Sequence, residues 1–243
     1  MANNRDSNSI RMGEDKMSQR RYGRLQKNHG AVCILFLCFC LFISGCVNFR
    51  EPIEAEKTTF YTLEYDPPAP SHLQSLSAAI RVKRFGVAPT YDTKRIIYRE
   101  GAFERDAYVY HRWRDNPGEL VSFFLSRDMR ESGLFEAVLS HHSRVPASHI
   151  LEGRVDEFFE SDARDGWEAV LSVSIVLTAV EQVEVGKRSL LQKSYQRRAP
   201  CRGRTPKALA EAMSHAMSEV SSEITRETYS FLKQNRDETS QNH

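Results

Sequence analysis

Cysteine is nearly absent from most of this 243-residue chain. Four of its five cysteines fall between positions 33 and 46, and only Cys201 lies beyond them. A body with one thiol holds no internal disulfide, so its fold must rest on an apolar core. An excess of one charge is also missing. The 34 Lys and Arg face 32 Asp and Glu, a net of +2, which argues against a protein built to bind nucleic acid. Only one apolar run is long enough to consider as a membrane segment, and this excludes a polytopic membrane protein. At 40% hydrophobic residues the chain is too apolar to be disordered throughout. One domain, or at most two small ones, is expected at this length.

What is present begins at the N-terminus. Residues 1–45 carry seven of the basic and three of the acidic side chains, so the remainder holds 27 against 29 and is mildly acidic. Arg20, Arg21, Arg24 and Lys27 precede an unbroken apolar run of 13 residues, Ala31 to Ile43. A basic stretch, a short apolar run and small residues form an export signal. The run is shorter than the roughly 20 residues that span a bilayer; an uncleaved apolar anchor is the competing reading. Ile43-Ser44-Gly45-Cys46 resembles the lipobox of bacterial lipoproteins. Its chemistry needs each residue: the small pair lets a peptidase reach the backbone, and the Cys46 thiol accepts a diacylglyceryl group. Residues 1–45 are therefore expected to be a lipoprotein signal peptide, with Cys46 lipidated. The stretch before the apolar run is long, so Met12 or Met17 is a candidate start; Met17 leaves a signal of 29 residues. Two or three acyl chains hold a protein to a bilayer durably, whereas one holds marginally. Val47 replaces the Asp of inner-membrane retention, which by resemblance to the enterobacterial sorting rule points to the outer membrane.

Residues 46–57 read as a polar, lipidated tether, able to reach about 35–40 Å when extended. The body, 58–234, begins with a β-rich stretch, Thr58 to Tyr65, ended by the Pro67-Pro68-Ala69-Pro70 loop. Ala79 to Val87 alternates Ile80, Val82 and Arg84 against Arg81, Lys83 and Phe85, the pattern of a strand. Arg95–Arg99, Ala107–Trp113 and Phe135–Leu139 read as short strands. Asn116, Pro117 and Glu119 mark a capped helix start. Leu120, Val121, Phe124, Leu125 and Met129 make its stripe, and Gly133 its stop. His149–Phe159 and Trp167–Val185 read as a hairpin turning through Ser161–Gly166, and the second shows alternation at Leu171, Val173, Ile175, Leu177 and Ala179. Ser189–Arg197 adds a strand. A long helix opens at Thr205-Pro206 and runs an apolar face through Leu209, Met213, Ala216, Val220, Ile224 and Phe231. Residues 235–243 read as a polar tail. This order implies an α+β fold: a mixed, mainly antiparallel sheet with two main helices packed on one face.

Reaction centres are hard to find. There is no G-x-x-x-x-G-K-[ST], so the chain is not itself an ATPase, and neither H-E-x-x-H nor G-x-S-x-G occurs. His141 and His142, adjacent on a loop, are expected to point apart, and with His149 they lack the partners of a metal site. Ser230 and Lys233 fit S-x-x-K at the end of the last helix without companion motifs. Asp162, Asp165 and Glu168 fall at a turn. Cys201 has Arg198, Arg202 and Arg204 beside it, a setting that lowers a thiol pKa. With Arg197 these arginines form a basic patch, suited either to lipid phosphates or an acidic partner or to plain solvation. Neither catalytic residues, nor a metal, nor a cofactor is expected.

Several spaced motifs point further. Tyr61-Thr62-Leu63 lies shortly after the lipobox, followed by Ile80-Arg81-Val82 and Val87-Ala88-Pro89. Tyr91-Asp92, Ile96-Ile97-Tyr98-Arg99, Tyr108, Arg112-Trp113, Pro117 and Leu120 come next. From Thr58 to Leu232 the sequence resembles the ABC-type transport auxiliary lipoprotein family, which includes the outer-membrane lipoprotein of paraquat-inducible, Mce-type intermembrane transport. Arg112-Trp113-Arg114-Asp115 departs from it, being more charged than the usual segment. The resemblance implies a non-catalytic, lipid-anchored component that docks a periplasmic Mce-type substrate-binding protein at the outer membrane. Its implied partners include the ABC permease and ATPase of the same system, and no nucleic acid. A secretion or lipopolysaccharide-assembly lipoprotein is the alternative that the residues leave open.

Overall fold

The alternation over Leu171–Leu177 becomes the centre of the sheet. In the computed structural model, which describes residues 56–163, 166–180 and 190–241, it lies in a long strand with helices against its apolar side. The elements are β1 (Thr59–Tyr61), β2 (Leu76–Val82), β3 (Gly86–Val87), β4 (Arg95–Arg99), β5 (Asp106–Trp113), α1 (Pro117–Glu131), β6 (Phe135–Leu139), β7 (His149–Ala163), β8 (Gly166–Ala179), β9 (Leu190–Pro200) and α2 (Pro206–Gln241). Among the described residues all the strands form one sheet, ordered β1-β5-β4-β7-β2-β6, with β3 and β8 also on β7 and β9 on β8. The long ladders, β7 with β8 and β8 with β9, are antiparallel, as is β4 with β5. The shorter pairings of β1 with β5, β2 with β6, and β2, β3 and β4 with β7 are parallel. With α1 and α2 on one face, this is the expected α+β layer.

The helix signals act as read. Asn116 Oδ1 accepts the Gly118 N–H at 3.0 Å, and Gly133 closes α1 at φ 66°. The Glu119 carboxylate meets the Arg84 guanidinium at 2.7 Å. Thr205 Oγ1 accepts the Ala208 N–H at 3.1 Å and starts α2. The polar stretch expected to be a tail stays helical as far as Gln241.

Several boundaries differ from the sequence-based expectation. The strand expected over Thr58–Tyr65 stops at Tyr61, because the next residues leave the sheet to be pinned by both helices. Leu63 is fully buried, and the Glu64 N–H donates to Ser214 Oγ at 2.9 Å. The Tyr65 hydroxyl donates to the buried Asp128 at 2.7 Å, while Arg127 donates to the Tyr65 carbonyl at 3.0 Å. Burial, reinforced by Asp128, raises the pKa of that hydroxyl and keeps it a donor. The strand expected over Ala79–Val87 breaks into β2 and β3, and its alternation fails with it: Arg84 is exposed and Phe85 turns into the core. There the Phe85 N–H donates to Ser122 Oγ at 2.8 Å. β7 runs past Phe159 to Ala163, so the expected turn residues Ser161 and Asp162 pair in the ladder with Glu168 and Trp167. β8 ends at Ala179, and 181–189 lie outside the described residues.

The core fills the space between sheet and helices. Leu151, Val155 and Phe158 of β7 and Leu171, Val173, Ile175 and Leu177 of β8 meet Leu125, Met129, Leu209, Met213, Val220 and Ile224. A register shift at Asp156 moves the inward side of β7 from Val155 to Phe158. Trp113 closes one end, edge-on to Phe158 at 5.1 Å.

Candidate functional site

The lipobox residues Ile43, Ser44, Gly45 and Cys46 lie outside the described residues, as does Asp165. The other residues singled out from the sequence are placed, and the structure disperses them. The rings of His141 and His142 lie 3.7 Å apart, tilted by 40°, in an exposed turn instead of pointing apart. The two-residue turn curls the chain back and brings adjacent side chains together. His149 sits at the start of β7 with its ring against Ser148 Oγ at 2.9 Å, and burial lowers its pKa. Among the described residues no three His, Cys, Asp or Glu converge in a metal-binding arrangement.

Cys201 follows β9 and is half-buried, with its N–H donating to the Trp167 carbonyl at 2.8 Å. The arginines beside it in sequence do not activate it. Burial, with the nearby Glu160 adding to it, pushes the thiol up to about 11, so it stays protonated and is a poor nucleophile. The basic patch also dissolves into structure. Arg197 binds Glu223 and reaches Glu219 at 3.4 Å, and Arg198 binds Glu168 at 3.0 Å. On the same helix-facing row, Lys193 and Tyr195 hold Glu227 at 2.5 and 2.8 Å. Burial alone would raise the Glu227 pKa, but these two hydrogen bonds hold it below its ordinary value. The signal for this seam was present as Glu219, Glu223 and Glu227 on one helix face, opposite alternate basic and aromatic residues of β9. Arg202 and Arg204 remain exposed.

Ser230 and Lys233 line an open groove of about 760 Å³ between α2 and the proline loop, with Pro68, Leu73, Leu134 and Tyr229. Ser230 and Lys233 are both exposed, and among the described residues no hydrogen bond joins the Ser230 hydroxyl to the Lys233 ammonium that S-x-x-K would use as its base. A second hollow of about 630 Å³ opens beside the start of α1, where Phe123 stands 64% exposed.

Besides Asp128, a second buried carboxylic acid escaped the sequence reading. Glu160 is 1% exposed on the helix-facing side of β7, opposite Ala169, and accepts the Tyr108 hydroxyl at 3.1 and 3.2 Å. Burial raises its pKa to about 7. An acid raised in the folded state costs stability once the unfolded chain has ionised. Below pH about 4.5 both states are protonated and nothing is lost; between about 4.5 and 7 stability falls as pH rises; above that the loss is constant. The full shift corresponds to about 3 kcal/mol, and partial hydration beside the half-buried Tyr108 reduces this to ~2 kcal/mol. Glu160→Gln is expected to keep the Tyr108 contact and remove this pH dependence. It should gain ~2 kcal/mol over the parent near pH 8 and nothing near pH 4 in denaturant unfolding. Equal pH profiles for the two chains would refute the assignment.

Among the described residues, Cys201, Ser230 and the histidines singled out from the sequence are thus not brought together in one site. The fold itself has solved counterparts. The chain superposes on protein XCC0632 from Xanthomonas campestris, of the DUF330 family, with TM-score 0.65 at 18% identity, covering 74% of this chain and 99% of that one. A second crystal structure, of an uncharacterized protein, gives TM-score 0.55 at 14% identity over 71% of this chain and 99% of that chain. At these identities both likenesses show the fold alone. Among curated proteins no sequence relative is found. The model of the ABC-type transport auxiliary lipoprotein component family matches residues 61–225, which takes in β5, both helices' cores and the long hairpin. The chain belongs to the ABC-type transport auxiliary lipoprotein component family.

Proposed function

We propose that the chain is cleaved before Cys46, acylated there, and held on the periplasmic face of the outer membrane. In this reading the body is a non-catalytic part of an ABC-linked, Mce-type system that moves lipid between membranes. It docks the periplasmic Mce-type substrate-binding assembly, whose permease and ATPase lie at the inner membrane. The observation that carries the reading is the family match, which starts at Tyr61, shortly after a lipobox ending at Cys46. The dispersal of Cys201, Ser230 and the histidines supports a role without chemistry on a substrate. Among the described residues no helix is long and apolar enough to cross a membrane, so in this reading attachment falls to the acyl chains.

Affinity capture from detergent-solubilised envelopes tests it. The tagged chain is expected to bring down a Mce-type protein together with an ABC permease and ATPase. Recovery of secretion or lipopolysaccharide-assembly subunits in their place would reject the transport role and favour the assembly role.

A further inference from the structure

The charged segment Arg112-Trp113-Arg114-Asp115 finds no use in the docking role, and the sheet register shows where it points. Trp113 faces the core against Phe158. Arg112 therefore faces the opposite side, away from the helices. The β1–β5 register sets Phe60 across from Arg112, and the β4–β5 register sets Arg95 across from it on the other side. Arg95, Arg112 and Phe60 thus form one row across three adjacent strands. Two arginines directly opposite each other repel, and among the described residues neither has a carboxylate partner; Arg95 reaches only the Ala107 carbonyl, at 3.0 Å. Further along the same hairpin, Arg99 and Arg105 stand over the Phe159 ring at 4.8 and 5.3 Å, also without ion pairs. The connecting turn carries Glu100 and Glu104, neither bound to these guanidinium groups, and ends in Phe103, 99% exposed. Phe60 is 51% exposed, and Tyr110 is exposed beside the row.

We infer that this outer face of the β4–β5 hairpin, edged by β1, seats the body against the anionic phospholipid headgroups of the membrane that holds its anchor. Guanidinium groups suit phosphate bidentately, and aromatic side chains suit the headgroup level. The chain's own course selects the occupant. β1 is the first element after the tether, so Phe60, 14 residues beyond Cys46, lies no more than about 50 Å of extended chain from the acylated residue. β1, the strand that follows the tether, thus carries Phe60 of the row whose two arginines have no carboxylate partner among the described residues. The inference rests on the anchor assigned to Cys46 and adds an orientation to it: hairpin face towards lipid, helices away.

The acylated chain, purified from membranes, is reconstituted into phosphatidylcholine vesicles with brominated acyl chains and about one third phosphatidylglycerol. Phe60→Trp, Phe103→Trp and, on the helix side, Phe123→Trp are compared with the parent, whose own tryptophans set the background. Phe60→Trp and Phe103→Trp are expected to be quenched at least about twofold more strongly than Phe123→Trp. Arg95→Glu with Arg112→Glu is expected to abolish that contrast without releasing the protein, each charge removed lowering occupancy of the seated state about fivefold. Equal quenching at all three positions, or a contrast that persists without phosphatidylglycerol, overturns the inference. Co-flotation separates the two failures. A chain that floats but shows no contrast sinks the oriented face alone, and a chain that does not float sinks the anchor and the face together.

Discussion

Cys46→Ala is expected to lose all incorporation of a palmitate analogue and to keep the residues that precede position 46. The parent is expected to become labelled and shortened. The expectation follows from the chemistry of a single atom. In the proposed lipobox the Cys46 sulfur is the group presented for thioether formation, and alanine would offer no nucleophile there. The other thiols cannot substitute. Cys33, Cys38 and Cys40 lie inside the apolar run, without the pair of small residues. Cys201 is half-buried, with its pKa pushed up to about 11. Cys201→Ala should therefore label like the parent. The consequence for attachment is large, since each buried methylene contributes about 0.8 kcal/mol and two chains hold where one barely does. Equal labelling of Cys46→Ala and the parent would remove the anchor, and with it the outer-membrane placement and the tether argument for the hairpin face.

Much of the fold was legible before any coordinates. Asn116-Pro117 and Gly133 bracket α1 because capping depends on residues next to each other in the chain. The period-two run from Leu171 to Leu177 identifies β8 because one side of it is buried along its whole length. The misreadings share a cause: partners distant in sequence. Nothing near Leu63 announces that Ser214 and Asp128 draw residues 62–65 off the sheet. Nothing near Asp156 marks the shift that turns Phe158 and Glu160 inward, so nothing in the sequence singles out Glu160. The lipobox expected at Ile43–Cys46 is a local pattern, because the peptidase it would serve reads adjacent residues. The Arg95–Arg112–Phe60 row is not, because it exists only once three strands are in register.

Gly118→Ala and Gly153→Ala are each expected to destabilise the body, against what local propensity says. Alanine in place of glycine in a helix gains up to about 1 kcal/mol, and glycine in a strand is likewise the weaker residue. Packing reverses the sign at both sites, and Phe85 is the reason. A methyl on Gly118 would lie 2.5 Å from the Phe85 carbonyl oxygen and 2.9 Å from Val87 Cγ2. A methyl on Gly153 would enter the Phe85 ring itself. That ring is 2% exposed, so it has nowhere to swing. Overpacking of this kind costs about 1–3 kcal/mol, which exceeds the propensity gain. Emptying the same site is worse in the other direction: Phe85→Ala should cost about 3–5 kcal/mol. The two glycines differ in what they meet, and a double-mutant cycle separates them. Phe85→Leu should relieve part of the penalty of Gly153→Ala, since that clash is with the side chain. It should leave the penalty of Gly118→Ala unchanged, since that clash is with backbone. If Phe85→Leu rescued both variants alike, or if Gly118→Ala raised the unfolding midpoint, the wedge between α1 and β7 would not be what sets the end of β2 and the placement of α1 on the sheet.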